Sequence, residues 1–280
     1  MARTNSLGNF LTDVADAIRE KKGTTDTILA SNFDTEIASI ESGVDINEYL
    51  SDTITNGSDS LGGWAKTVKK MRSPLTIEGT SAQYMFLKYP LNELPQLNTS
   101  NVTSMNNMFY QCPNLTTIPQ LDTSKVTSMS YMFSSCYSLQ TIPLLDTSSV
   151  TRMDSMFINC YSIQTIPQLD TSKVTNSGYI FSRCYSLQTI PQLDTSKFIS
   201  MTDMFYDCSY LEFLTMTNIK LSFSISASKK FSQETLEALI DNLVDLTGQT
   251  AKTFTMGSTN LSKVSQEKKD LATAKNWSLA

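Results

Sequence analysis

The stretch LDTSKVTSMSYMFSSCYSLQTIPL, residues 121–144, decides the fold, because close copies of it begin at Leu97, Leu145, Leu169 and Leu193. The period is 24 residues, and the five cysteines mark it at Cys112, Cys136, Cys160, Cys184 and Cys208. A 24-residue unit cannot bury its apolar residues alone, but stacked units set like residues above one another and make a continuous core. The interior columns are then Val102, Val126, Val150 and Val174, next Phe109, Phe133, Phe157, Phe181 and Phe205, and last Leu115, Leu139, Ile163, Leu187 and Leu211. The fold expected is a solenoid of five full units over 97–216.

Within a unit, Leu139 to Pro143 reads as a short strand with Leu139 and Ile142 inward, paired in parallel with its neighbours about 4.8 Å away. Pro143, Pro167 and Pro191 lack a donor N–H and should end each strand. Val126, Met129, Met132 and Phe133 recur at helical spacing, which predicts a short helix or 3₁₀ turn on the outer side. Asp122, with Thr123 and Ser124, stands where a turn would enter that helix and cap it.

Outside the full units, YMFLKYPLNELPQ keeps Leu91, Leu94 and Pro95 in frame but lacks the cysteine, as a degenerate capping unit over 73–96 would. The solenoid therefore spans 73–216. Upstream, Leu7, Leu11, Val14 and Ile18 form one helical face stopped by Gly23, and a second short helix is expected over 34–41. Residues 1–45 make a helical attachment or oligomerisation segment, and 46–72, with the polar run SDTITNGSDSLGG at 51–63, a linker. Downstream, residues 217–280 form an α/β cap. Ser232 caps a helix carrying Leu236, Leu239, Ile240 and Leu243 that ends at Gly248, then come a strand at 253–256 and a helix at about 265–275.

The chain has 280 residues and a formal net charge of −5, with a pI near 4.9. No basic patch is available to neutralise phosphates, which argues against nucleic acid as a partner. No run of 18 or more apolar residues predicts a membrane span, and the start lacks a secretory pattern, so synthesis and folding in a cytoplasm are expected. The absence of histidine removes the commonest general base and metal ligand. An enzyme would have to be built from carboxylates; no catalytic residue, metal or cofactor is assigned.

The M-F-x-x-C-x-x-L-x-x-I-P and L-D-T-S-x-V-T-x-M patterns resemble the BspA-type leucine-rich repeats of bacterial surface proteins and of phage or prophage proteins. The match covers about residues 80–216. LTDVADAIREKKG near the N-terminus and the segment from Leu246 to Ala280 are similar to the ends of tail- or baseplate-associated repeat proteins of phages of Gram-positive hosts. The resemblance implies a leucine-rich-repeat solenoid used for adhesion or receptor binding at a host cell-surface protein or glycan. It also implies a virion location, with the N-terminal helices holding other virion proteins or a further copy of the chain. A bacterial leucine-rich-repeat protein that binds another protein is the alternative.

Several columns carry a second reading. The cysteines could pair or bind metal, but in-register parallel side chains keep Cβ atoms too far apart for the preferred disulfide geometry. A ladder of small buried groups is the simpler account. Asp122, Asp146, Asp170 and Asp194 could hold Ca²⁺, or cap turns while Lys125, Lys173 and Lys197 offset their charge. Asp203 and Asp207 are a carboxylate pair of the kind glycosidases use, or a solvated face. Met105, Met129, Met153 and Met201 sit at core spacing.

Ligand contact is assigned to an outward polar strip made of Gln140, Gln164 and Gln188 with Thr141, Thr165 and Thr189. A column of Tyr137, Tyr161 and Tyr185 runs beside it. Aromatic rows flanked by amides and hydroxyls suit carbohydrate or protein surfaces. Equally, identical rows can do no more than stabilise stacking.

Overall fold

A computed structural model of the chain describes residues 53–54, 75–77, 79–89, 92 and 94–280. The two N-terminal helices and most of the linker lie outside the described residues. The rest is a repeat solenoid, with no closed sheet or barrel among the described residues. Val126, Met129, Met132, Phe133, Cys136 and Leu139 of one coil are fully buried, as are their counterparts one coil on. The phenylalanine column from Phe86 through Phe109, Phe133, Phe157 and Phe181 to Phe205 stacks with centroids 5.4 to 6.1 Å apart and planes within 16°. Fully burying one such side chain contributes about 1.5–3 kcal/mol.

The segment predicted to be helical is not a helix. From Met129 to Cys136 the backbone makes consecutive turns in which alternate amides serve different partners. Those of Met129, Tyr131, Phe133 and Ser135 donate to the carbonyls of Arg152, Asp154, Met156 and Ile158 in the next coil, at 2.8–3.0 Å. Those of Met132, Ser134 and Cys136 turn back to Met129, Tyr131 and Phe133 at 3.1–3.2 Å. Every amide between 131 and 136 is thereby satisfied, which a buried segment requires. The turns need left-handed residues at every fourth position, φ being 58° at Tyr131 and 62° at Ser135. Parallel bridges from Ser81 through Ser104, Ser128 and Arg152 to Asn176 begin the same ladder in each coil.

The Leu-to-Pro segment also departs from expectation. Leu139 and Ile142 do face inward, but the backbone there makes a single bond per rung, as from Gln140 N–H to Thr116 O at 3.0 Å. Pro119, Pro143 and Pro167 each remove a donor from that ladder. Only the last two units form a true strand pair, parallel between residues Thr189–Asp194 and Phe213–Thr217. Pro191 does not end its strand; the register shifts around it, between Ile190 and Leu193. The partner strand has Thr215 where the other units have proline, and it is regular.

In chain order the strands are β1 (Thr53–Ile54), β2 (Leu75–Ile77), β3 (Leu97–Asn98), then β4 and β5 for the pair just named. β1 pairs with β2 and β2 with β3, all parallel. A rung therefore reaches back into the stretch read as a linker. In the capping unit Tyr89 fills the place of the missing cysteine, fully buried and edge-on to Phe86 at 5.5 Å.

After β5 come β6 (Phe223–Ser224), α1 (Gln233–Asp241), β7 (Lys252–Thr255), α2 (Ser258–Leu261), α3 (Gln266–Ala274) and β8 (Trp277–Leu279). Ser232 caps α1, accepting from Thr235 N–H at 3.1 Å. The helix stops at Asp241 rather than Gly248, because Ile219 takes over: it donates to Asn242 O and accepts from Val244 N–H. Gly248 instead supplies a left-handed turn, φ 80°. β6, β7 and β8 make a parallel sheet in that order. Leu236, Leu239, Ile240 and Trp277 belong to one apolar core with the coils, and Ser228 Oγ donates to Leu211 O across the junction.

Candidate functional site

Each coil repeats the same outward residues one rung apart, so a site on this molecule is a set of columns. The rings of the tyrosine column stack, Tyr137 on Tyr161 at 4.9 Å and 11° and Tyr161 on Tyr185 at 4.9 Å and 28°. Pro113 and Ser209 occupy the same frame position at its two ends. Stacking closes the inner faces of the rings and leaves edges and hydroxyls toward solvent. Burial first, then the neighbouring phenols, hold Tyr161 above the usual tyrosine pKa, so it remains a hydrogen-bond donor at neutral pH.

Next to it, Gln140, Gln164, Thr141 and Thr165 are exposed and Gln188 and Thr189 half-buried. Thr165 and Thr189 are joined by a parallel bridge, and the column continues to Phe213, which pairs with Thr189. Their backbones bond to the neighbouring coils, Gln188 N–H to Gln164 O at 2.8 Å for example. Their side chains form no hydrogen bonds among the described residues.

Other polar columns behave differently. Thr127, Thr151 and Thr175 donate through Oγ1 to the carbonyls of Thr103, Thr127 and Thr151 at 3.2 Å. Gln120 and Gln168, just after the prolines, reach Leu144 O and Gln192 O at 2.8 and 2.7 Å. Those amides add inter-coil bonds beside the prolines. Among these columns the strip at 140–141, 164–165 and 188–189 alone keeps its side-chain donors and acceptors uncommitted.

The aspartate column caps turns. Asp122 Oδ1 accepts from Ser124 N–H at 3.1 Å and Ser124 Oγ at 2.7 Å, and Asp146 and Asp170 repeat the arrangement with Ser148 and Ser172. These hydroxyl and amide bonds hold the three carboxyls below the usual range. At Asp194 burial acts the other way, and bonds from Asn218 and Ser196 outweigh it. The turn so capped is an Asx turn, since no helix follows. Among the described residues no group of three or more acidic or cysteine side chains could hold a metal ion.

The cysteines are free and buried, and each is more than a small apolar group. Cys112, Cys136, Cys160, Cys184 and Cys208 donate through Sγ to the carbonyls of Phe86, Phe109, Phe133, Phe157 and Phe181, at 2.9–3.1 Å. Burial pushes Cys136, Cys160 and Cys184 well up and Cys208 up to about 12. Those four thiols thus stay protonated donors.

Sequence reasoning missed a polar interior rail, the buried threonines of the D-T-S triplets, which bond to the next coil at Thr147, Thr171 and Thr195 but not at Thr123, whose hydroxyl has no partner. Thr147 Oγ1 donates to Asp170 O at 3.0 Å and accepts from Asp170 N–H at 2.7 Å, and Thr171 does the same with Asp194. The signal was available: a short polar residue recurring beside an inward column needs a partner when buried. Asp203 and Asp207 are left-handed turn residues, φ 45° and 58°, and Asp207 lies 4.0 Å from Arg183. No helix among the described residues is long and apolar enough to cross a membrane.

A family model described as "Mycoplasma protein of unknown function, DUF285" matches residues 80–184, 116–215 and 138–238, overlapping windows that slide along the coils and together cover more than half of the chain. No curated protein matches.

Proposed function

The chain belongs to the DUF285 family, and on that premise we propose that it is a non-catalytic binding protein whose outward strip contacts a cell-surface protein or glycan. What supports this reading above all is the uncommitted state of Gln140, Thr141, Gln164, Thr165, Gln188 and Thr189. Rows that served stacking alone would bond to each other, as Thr127, Thr151 and Thr175 do. A ligand laid along the solenoid meets the same amide and hydroxyl at every coil, so each weak contact is multiplied. Stacked Tyr137, Tyr161 and Tyr185 form a rigid wall beside it, offering phenol donors at low entropy cost.

The BspA-type leucine-rich-repeat pattern and the phage-like termini favour placing the protein on a phage tail or baseplate. There the N-terminal helices would engage other virion proteins or further copies of the chain. Mass spectrometry of purified tails or tail-like particles tests the placement, and particles without the chain remove it. The family's description from Mycoplasma favours a second reading, a cellular bacterial interaction protein using the same strip.

Contact itself is tested by capture of the full chain on intact cells and isolated surface fractions. Replacing Gln140, Gln164 and Gln188 together by Ala should reduce capture roughly tenfold, with melting unchanged, since each lost polar contact is worth about 0.5–1.5 kcal/mol. Equal capture of variant and wild type overturns the strip.

A further inference from the structure

A second tyrosine column stands six residues before the first, in a different chemical state. In the frame position three residues after Ser81, Ser104, Ser128, Arg152, Asn176 and Ser200 the chain reads Tyr84, Asn107, Tyr131, Ser155, Tyr179 and Asp203. Tyrosine alternates with a small polar residue. All six have positive φ, between 45° and 61°, so the backbone launches each side chain in the same way. Their amides are fixed to the neighbouring coil, Tyr84 to Asn106 O, Tyr131 to Asp154 O and Tyr179 to Thr202 O.

The alternation sets the spacing of the rings. Neighbouring rungs lie about 4.8 Å apart, so tyrosines two rungs apart are separated by about 9.6 Å. At that distance they cannot stack on one another. Tyr84, Tyr131 and Tyr179 are exposed to 39%, 40% and 39%. Among the described residues no ring, cation or hydrogen bond engages their side chains. The other exposed tyrosines are committed: Tyr137 and Tyr185 to Tyr161, Tyr206 to Arg183 and Tyr210 to Lys230. Ser155, between Tyr131 and Tyr179, is only 3% exposed, so no side chain stands up between those two rings.

We infer that Tyr84, Tyr131 and Tyr179 form a platform for an extended β-1,4-linked glycan running along the solenoid. The apolar C–H face of a pyranose packs on an aromatic ring as another apolar surface does. In a β-1,4 chain each sugar is turned over relative to the last, so every second sugar offers the same face on the same side. The platform has the same two-step repeat, one tyrosine at every second coil. Between the rings, half-buried Asn107 offers an uncharged amide suited to hydroxyl groups rather than a charged polymer, and buried Ser155 adds no charge. A β-strand also turns alternate residues to opposite faces, but its same-face repeat is about 6.7 Å, short of the roughly 9.6 Å between these rings. The site shares no residue with the Gln and Thr strip and does not rest on the function proposed for it, so either can fail alone.

The test is calorimetric titration of the full chain with β-1,4 oligomers of glucose and of N-acetylglucosamine, from disaccharide to hexasaccharide, with α-1,4 glucose oligomers as control. The two β series distinguish a cellulose-like from a chitin-like ligand. Affinity should rise as the oligomer grows long enough to span a second and a third ring. Changing all three tyrosines to Asn should weaken binding by roughly tenfold or more. That variant keeps the fold, because Asn107 already occupies the same left-handed position, and an unchanged melting temperature shows it. Ser155→Tyr should also weaken binding, by letting the rings stack as Tyr137, Tyr161 and Tyr185 do. The proposal is overturned if no β-1,4 oligomer binds, if α-1,4 oligomers bind equally, if the triple Asn variant binds as wild type, or if the rings prove necessary only for capturing a protein.

Discussion

Cys160 shows how much a single side chain does in a coil. It fills a small space between Phe133 and Phe157 layers, and its thiol donates to Phe133 O, a carbonyl that also accepts Cys136 N–H. Sequence showed where the cysteines lie and that they are buried, but not the donor role, because an inward column looks the same whether or not its sulfur is bonded. The pKa shifts give this a measurable consequence. A thiol whose folded pKa is raised binds its proton more tightly in the folded state. Stability is therefore complete below the unfolded pKa near 9 and falls as pH rises toward the folded value, about 12 for Cys208. Each shifted thiol should take away about 1.4 kcal/mol per pH unit in that window. Urea unfolding between pH 8 and 11 reads the slope; a flat profile above pH 9 would contradict burial of the thiols.

At the scale of the element, the coil was legible in its inward residues and illegible in its backbone. Val126, Met129, Met132 and Phe133 recur at spacings of three and four, which a helix face and a chain of four-residue turns produce alike. What separates them is a left-handed residue at every fourth place. Sequence usually advertises such a place with glycine or asparagine. Here Tyr131, Ser135, Ser155 and Arg183 hold it, so the turns were hidden behind ordinary residues. Inter-coil hydrogen bonds impose the conformation at a local cost. Asn107, half-buried with φ 55°, is a clean place to measure that cost. Asn107→Gly should leave stability within about 0.5 kcal/mol, whereas β-branched Asn107→Val should lower it by about 1–2 kcal/mol. Equal unfolding midpoints for the two variants would favour a helical segment. The prolines misled for a related reason: the strand they were expected to end hardly exists in the early coils, and where it does, Pro191 is absorbed by a register shift.

For the whole molecule, the period of 24 residues was enough to predict a solenoid, whereas the α/β region after it was read from local helix and strand patterns. The extra rung at Thr53–Ile54 escaped notice because two residues in a polar run carry no periodic signal. Of the proposed binding strip, sequence supplied the columns. Only the hydrogen-bond pattern separated uncommitted Gln140, Gln164 and Gln188 from the committed Gln120 and Gln168, since both sets are the same residue type in equally regular rows.

In a quasi-one-dimensional molecule each unit contacts only its neighbours, so removing one unit disturbs only the two that flank it, which then stack on each other. Deleting residues 145–168 joins Leu144 to Leu169 in frame and takes away a single rung of the strip, Tyr161, Gln164 and Thr165. Measured side by side with the full chain, for melting and for capture on the cell-surface fraction, the shortened protein should unfold cooperatively and bind more weakly, in step with its shorter strip. A chain that no longer folds would contradict the stacked-coil architecture, and a folded chain that binds as tightly as before would contradict recognition along the repeat.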